Sequence, residues 1–285
     1  MTGGTGFIGQ RLRALLEREG AEVELVSRRP GVGRTWEPDS LRQGVAAADV
    51  VIHLAGAGVV DRRWSDAYKR EILESRVATT ERVAAACDAE GRPLVSTSAV
   101  GYYGARGMDE ELDEDAAPGD DFLADVCRAW ETAARPAPER AVSIVRVGVV
   151  LGTNGGALEK LLLPFRLGLG GPIGRGDQPF PWVHVDDVCR LYAWLAADPK
   201  RRGVWNAAAP GGCTQGEFAR TLGRVLGRPA LLPTPVAAMR LLLGERSRVV
   251  TTGQRVVPRR SLAAGFEFAH PDLDGALRDL LDSGG

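Results

Sequence analysis

The chain has 285 residues, 44% of them hydrophobic and 26% charged, with a formal net charge of −1. These are the proportions of a folded globular protein, and the near-neutral balance argues against nucleic acid or a membrane surface as a partner. No apolar run approaches the ~20 residues that cross a bilayer and no signal peptide is visible, so a cytoplasmic location is expected.

The first nine residues carry the strongest local signal. Gly3, Gly6 and Gly9 form a G-x-x-G-x-x-G turn that runs directly into an amphipathic segment. Leu12, Leu15 and Leu16 share one helical face, Arg11, Arg13, Glu17 and Arg18 the other, and Gly20 ends the segment. A dinucleotide pyrophosphate sits on free amides at such a helix N-terminus, where the dipole favours negative charge and glycine lets the backbone come close. Gly3, Thr5, Gly6, Phe7, Ile8 and Gly9 are therefore cofactor-binding candidates, with a tight turn lacking any ligand as the alternative. Such a turn follows a buried apolar strand, yet only Met1 and Thr2 stand ahead of it. The expectation is a natural protein that starts upstream rather than a sheet without its central strand. Genomic sequence before residue 1 tests this.

Residues 23–27 read as the next strand. An acid at its end would hold a ribose 2′-OH and select NAD. Ser27-Arg28-Arg29 stands there instead, and a hydroxyl with a guanidinium suits a 2′-phosphate. NADP(H) is the expected cofactor; the alternative is that both arginines merely face solvent. Residues 50–55 form an apolar strand closed by Gly56. Small residues at Leu54-Ala55-Gly56 let a cofactor lie against the backbone, or simply make a turn.

A helical pattern follows over 64–88, a strand over 94–98, a helix over 121–135 and a strand over 142–147. Strands apolar on both faces, alternating with helices, argue for a parallel sheet covered on both sides. Beyond residue 150 the pattern loosens. Residues 167–176 are a glycine-rich loop with Pro172, 186–195 a helix, 204–206 a short strand, 214–226 a capped helix and 233–244 another helix. The fold expected is α/β, a Rossmann-type doubly wound parallel sheet with a smaller C-terminal α/β lobe. Its dinucleotide domain spans 1–205, with residues 160–185 contributing to the substrate side, and the lobe spans 206–285. Cys87, Cys127, Cys189 and Cys213 form no C-x-x-C pair and His53, His184 and His270 are scattered, so buried free thiols are expected and no metal site.

The glycine turn, Leu54-Ala55-Gly56, Ser98 with Tyr102-Tyr103-Gly104, Arg146 and residues 182–187 stand in the order of an extended short-chain dehydrogenase/reductase of the nucleoside-diphosphate-sugar epimerase-like branch. The chain resembles one atypical subgroup of it still more: NADP-binding, epimerase-like, sometimes labelled cell-division-inhibitor-like. The matching stretches are 73–76, 98–104, 148–152 and 164–174, with a tail domain of its own at 253–258 and 265–268, and they cover essentially the whole chain. The resemblance implies NADP contacts at Ser27, Arg28, Leu54, Ala55, Glu71, Arg76 and Val150. Arg76 takes a position where ordinary members carry asparagine; an ion pair with Glu71 or Glu74 on the same helix is its other reading.

The chain also departs from that family. Ordinary members use a tyrosine with a lysine four residues on as proton donor. Here the residues four after Tyr68, Tyr102, Tyr103 and Tyr192 are Ile72, Arg106, Gly107 and Ala196, and alignment on Trp130-Glu131 puts Leu123 and Cys127 at the two positions. The catalytic candidates that remain are Ser98 at a strand's carboxyl end, Tyr102 or Tyr103 as acid, and Arg76 to polarise a carbonyl; otherwise these only line the pocket. Residues 175–182 are expected to cover the substrate side, with Arg175 and Gln178 holding a polar or anionic group and Trp182 a wall, unless Trp182 packs a seam. His184 and Asp187 are read as organising that seam, and Asp186 or Asp187 as capping the helix that starts there. The function expected is an NADP(H)-dependent oxidoreductase or epimerase-like enzyme acting on a small molecule. The alternative is a non-catalytic NADP(H)-binding regulator. The sequence does not fix an oligomeric state.

Overall fold

The structure, a computed structural model, describes residues 1–29, 31–135 and 142–282; residues 283–285 of the expected lobe lie outside these. In chain order it places α1 Phe7–Arg18, α2 Pro38–Ala47, β1 Val51–His53, α3 Asp66–Ala89, β2 Leu94–Ala99 and a 3-10 turn at Val100–Tyr103. Then come β3 Glu111–Leu112, α4 Phe122–Ala133, β4 Val142–Val147, β5 Val149–Leu151, α5 Gly156–Arg166, β6 Pro179–Phe180, β7 Trp182–His184, α6 Val185–Ala196 and β8 Gly203–Ala207. The remainder is β9 Cys213–Thr214, α7 Gln215–Val225, α8 Val236–Leu243, α9 Arg248–Thr251, β10 Arg255–Val256, α10 Arg259–Ala263 and α11 Leu273–Asp282.

The central sheet is parallel in the order β1-β2-β4-β8. Its strands are buried on both faces, as a sheet covered by helices on each side requires. Beyond β1 the sheet continues as single parallel bridges: Thr2 pairs with His53 and with Val26, and Val26 pairs with Arg34. The spatial order is thus Arg34, Val26, Thr2, β1, β2, β4, β8, and the chain reverses direction across the sheet at Thr2. That is the topological switch point of a doubly wound fold, where ligands bind beyond the carboxyl ends of the strands.

The expected strand at 23–27 is corrected here to a single-residue bridge at Val26. Its amide donates to the Met1 carbonyl and Ser27 and Leu25 bond Arg34, but its neighbours offer one bridging residue each. The sheet also runs past residue 205, because β8 continues to Ala207 and stays paired with β4. β6 pairs antiparallel with β9, so chain from before and after that boundary builds one surface.

Helix starts follow local chemistry. Ser65 caps α3 by accepting from the Tyr68 amide, and Asp121 caps α4 by accepting from Ala124. Thr214 and Glu217 form a reciprocal capping box on α7, worth about 1 kcal/mol. Helices α2, α5 and α11 were not read from the sequence. In α5, Pro164 looks like a breaker, yet it lies in the last turn, where the amide bond it removes comes two residues before the helix ends. In α11 the signal was present: Ala276, Leu277 and Leu280 are buried at helical spacing. The four cysteines are buried and none is in a disulfide. Among the described residues no helix is long and apolar enough to cross a membrane.

Candidate dinucleotide and substrate site

The glycine turn leaves Thr2 at the switch point and presses against the end of β1. Gly3 has φ +69°, and a β-carbon there would lie 2.8 Å from the Leu54 carbonyl carbon and 2.9 Å from the Ala55 nitrogen. A β-carbon at Gly9 would overlap the Gly3 carbonyl oxygen. In both cases the obstacle is backbone, which cannot swing aside. Gly6 is the exposed N-cap of α1; no side chain caps that helix and its first turn holds no acid. The amides are left for an anion, so the residues present fit a dinucleotide pyrophosphate. The Phe7 ring is enclosed by the 152–156 segment, where a β-carbon at Gly156 would come within 3.0 Å of Phe7 Cε1. This draws Val150, on β5, to the same edge. Ile8 joins the core beneath, and the Thr5 carbonyl accepts from Gln10 Nε2 at 2.9 Å.

Ser27 follows the Val26 bridge at the same carboxyl edge. Its Oγ accepts from the Arg29 amide at 3.0 Å. Arg28 and Arg29 are exposed, with no acidic partner among the described residues. Glu71 is exposed and paired with Arg62 at 2.8 Å. Arg76 is different. The ion pair with Glu71 or Glu74 is absent; its guanidinium is 8% exposed, donates to the Ile72 carbonyl at 3.0 Å and lies 4.9 Å from the Trp130 ring centroid. A β-carbon at Gly56 would stand 3.4 Å from its Cζ. Burial lowers its pKa from the ordinary guanidinium value. Arg76 is thus a buried cation with no carboxylate partner among the described residues, facing the loop after β1.

The residues grouped as catalytic candidates separate in space. Ser98 is buried and donates to Glu131 Oε1 at 2.8 Å, and Glu131 holds Arg146 through two bonds of 2.7 and 2.9 Å. Burial works against the Arg146 charge, but the bonds to Glu131 raise its pKa regardless. Tyr103 is fully buried, donates to Asn206 Oδ1 at 2.7 Å and accepts from Arg146 at 3.0 Å. Burial pushes its phenol to about 12. Tyr102 is only half-buried, its ring lies 3.4 Å from the Arg146 Cζ, and its hydroxyl makes no hydrogen bond among the described residues. Leu123 and Cys127 flank Gly101, whose β-carbon would meet them at 3.4 and 3.7 Å. Burial pushes the Cys127 thiol to about 12.

On the expected substrate side, the three candidates have different surroundings. Arg175 is 89% exposed and pairs with Asp177 at 2.9 Å. Gln178 donates to the Ile173 and Val250 carbonyls at 3.3 Å each, tying the loop to the tail. Trp182 is no wall and fits its other reading, a packed seam: it is 1% exposed and its indole N–H donates to the Gly211 carbonyl at 3.2 Å. The helix cap is likewise His184, not an aspartate. Its Nδ1 accepts from the Asp186 amide at 3.1 Å, while Asp186 pairs with Arg11 at 2.6 Å and Asp187 accepts from the amides of Ala269 and His270. The fold also brings together histidines far apart in sequence: His184 and His270 stack at 3.8 Å, with Asp279 3.3 Å from His184 Nε2. Because His184 Nδ1 accepts, the proton of the neutral ring sits on Nε2, which lies near Asp279 but makes no hydrogen bond among the described residues.

No sequence signal marked a cavity of about 630 Å³ between the starts of α3 and α4 and the α8–α9 segment. Trp64, Lys69 and Phe122 line one side, and Arg240, Glu245 and Arg248 the other.

The switch point, the bare helix start and the parallel sheet define a dinucleotide-binding protein of the Rossmann type. Residues 1–208 match the NAD dependent epimerase/dehydratase family, and residues 234–280 match a domain of unknown function (DUF1731). The chain belongs to the NAD dependent epimerase/dehydratase family. It is 44% identical over 288 residues to the mouse epimerase family protein SDR39U1, covering 98% of each chain. The crystal structure of human epimerase family protein SDR39U1 (isoform 2) with NADPH is similar at a TM-score of 0.91 and 42% identity, over 99% of this chain and 98% of that one. A nucleoside-diphosphate sugar epimerase from Corynebacterium glutamicum is similar at a TM-score of 0.81 and 31% identity, over 98% of this chain and 57% of that one.

Proposed function

We propose that the chain is an NADP(H)-dependent oxidoreductase or epimerase-like enzyme acting on a small molecule. The observation that carries this reading is the glycine turn at the switch point, wedged against Leu54 and Ala55 with its helix amides bare and Ser27-Arg28 one bridge away. Gly3, Gly6 and Gly9 hold the pyrophosphate, Ser27 and Arg28 the 2′-phosphate, and Leu54, Ala55, Gly56, Arg76 and Val150 the face toward the nicotinamide half; Glu71 stands at the rim. The similarity to a relative crystallised with NADPH supports the choice of cofactor. Bound there, NADP(H) supplies or accepts a hydride. The chain's own part is to orient the substrate, exclude water and move a proton. Ser98 and Tyr103 have their protons committed to Glu131 and Asn206, so Tyr102 is the proposed acid and Arg76 the group that polarises the carbonyl.

A second reading, a non-catalytic NADP(H)-dependent regulator, is favoured by the lack of any tyrosine followed four residues on by a lysine. Titration with NADPH and NADP⁺, followed by incubation with aldehydes, ketones and nucleotide sugars while nicotinamide absorbance is recorded, tests both. Turnover supports the enzyme. Tight binding of both redox forms without turnover on any substrate supports the regulator, and no binding of either coenzyme defeats both.

A further inference from the structure

We propose that the cavity between Lys69 and the α8–α9 segment is the substrate pocket, and that it takes an oxyanion, a carboxylate or a phosphate ester, carried on a planar ring. This rests on the reading of the chain as an NADP(H)-binding enzyme. At about 630 Å³ the cavity has the size of a small-molecule site. Its charge does not balance: Lys69, Arg240 and Arg248 face one acid, Glu245. Lys69 is already paired with Glu245. Arg240 and Arg248 are exposed and have no acidic partner among the described residues. Two exposed guanidinium groups on one cavity give it a positive potential, and their forked donors match carboxylate and phosphate oxygens.

The opposite wall is aromatic and fixed. The Trp64 indole N–H donates to the Val59 carbonyl at 2.8 Å, and the Phe122 ring meets Trp64 edge-on at 5.1 Å. The Lys69 ammonium lies 5.9 and 5.4 Å from these two ring centroids. A planar ligand ring has an apolar wall there, while its charged end reaches the arginines.

The cavity is lined by elements that also carry the proposed chemistry. Lys69 and Arg76 are two turns apart on one face of α3, about 10.5 Å at the standard rise. Phe122 starts α4, and the next residue, Leu123, packs at Gly101 beside Tyr102. On the tail side, Gln254 Nε2 donates to the Val100 carbonyl at 2.8 Å, just after the segment that closes the cavity. The domain of unknown function at residues 234–280 thereby acquires a role: it carries Arg240 and Arg248, which read the substrate's charge.

The test is calorimetric titration of the full chain, with and without saturating NADPH, using phenyl phosphate, benzoate and benzyl alcohol as probes. The NADPH-loaded protein should bind at least one of the two anionic probes, with benzyl alcohol about tenfold weaker or more, one charge-assisted contact being worth that much. Whichever of phenyl phosphate and benzoate binds tighter identifies the oxyanion. The Arg240→Gln/Arg248→Gln variant should lose the anionic preference and keep the wild-type affinity for NADPH. Equal binding of benzyl alcohol, an unchanged preference in that variant, or no binding of any probe to NADPH-loaded protein overturns the proposal. Failure of the wild-type chain to bind NADPH at all is a separate result and overturns the cofactor reading instead.

Discussion

The molecule builds its two functional halves from different material. The dinucleotide crevice is made of backbone: Gly3 against Leu54 and Ala55, Gly9 against Gly3, and an α1 start that no side chain covers. The half around Ser98, Tyr103 and Arg146 is made of side chains locked to one another, with Glu131 at the centre accepting from both Ser98 and Arg146. A backbone site fails by steric intrusion and has little pH dependence of its own. A side-chain network fails when one partner goes and leaves another charge uncompensated.

The largest effect should come from breaking the network. Glu131→Gln leaves the Arg146 guanidinium, 3% exposed, without its carboxylate. Removing one partner of a buried pair costs about 3–5 kcal/mol. Denaturant unfolding should show that loss, and one below about 1 kcal/mol would mean that Arg146 is held chiefly by Tyr103 and the Glu114 carbonyl. In the crevice, Gly9→Ala forces a methyl into the Gly3 carbonyl. Overpacking of this kind costs roughly 1–3 kcal/mol, and here it spreads the turn itself. NADPH affinity should fall by up to about a hundredfold, whereas unchanged affinity would show that the turn does not touch the pyrophosphate.

The next effect tests how the two halves join. His53 ends β1, bonding Thr2 Oγ1 at 2.7 Å and Thr80 Oγ1 at 2.9 Å. Burial lowers its pKa from 6.5 to about 4. The native state therefore resists protonation where the unfolded chain accepts it. The resulting stability is complete above about pH 6.5 and is lost as pH falls toward 4. By pH 5 the cost is on the order of 2 kcal/mol. Burial and the neighbouring His270 lower the His184 pKa too, so that residue adds in the same direction. Unfolding midpoints from pH 7 to 5 should decline accordingly, and His53→Gln should flatten most of that slope. A flat profile in the wild type would contradict the burial argument.

These contrasts explain what was legible in the sequence. The crevice could be read because a backbone site leaves glycines at fixed spacing, and because the end of each parallel strand meets the same edge. That no tyrosine is followed four residues on by a lysine was legible directly. The side-chain half was not. Nothing local distinguishes Tyr102 from Tyr103; their roles separate because the 3-10 turn points one phenol at Asn206 and leaves the other on the face of Arg146. Trp182 looked like a wall because it follows a loop rich in glycine and proline, but β7 pairing carries it into the core. The arginines of the α8–α9 segment gave no signal, since their meaning depends on Trp64 and Phe122 arriving from more than a hundred residues away in the chain.

A smaller effect sharpens the cofactor half. Arg28→Ala should weaken NADPH by about tenfold, the worth of one charge-assisted contact, and leave NADH unchanged. Parallel titrations measure it. Equal losses for both coenzymes would place Arg28 on the pyrophosphate rather than the 2′-phosphate.

The finest discrimination lies between the adjacent tyrosines. Tyr103→Phe removes a buried hydroxyl and leaves Asn206 Oδ1 without that donor, so it should cost about 1–3 kcal/mol of stability. Turnover per folded molecule should stay close to wild type. Tyr102→Phe takes nothing from the network, because that hydroxyl has no partner among the described residues, and should leave the unfolding midpoint within about 0.5 kcal/mol. If Tyr102 delivers the proton, turnover with any substrate found should drop at least about tenfold, with the larger change in kcat. The opposite pattern, a stable but inactive Tyr103→Phe protein beside an active Tyr102→Phe protein, would put the proton source inside the buried network. The phenol then could not be the donor at its present burial, and the 3-10 turn would have to open for the reaction to occur.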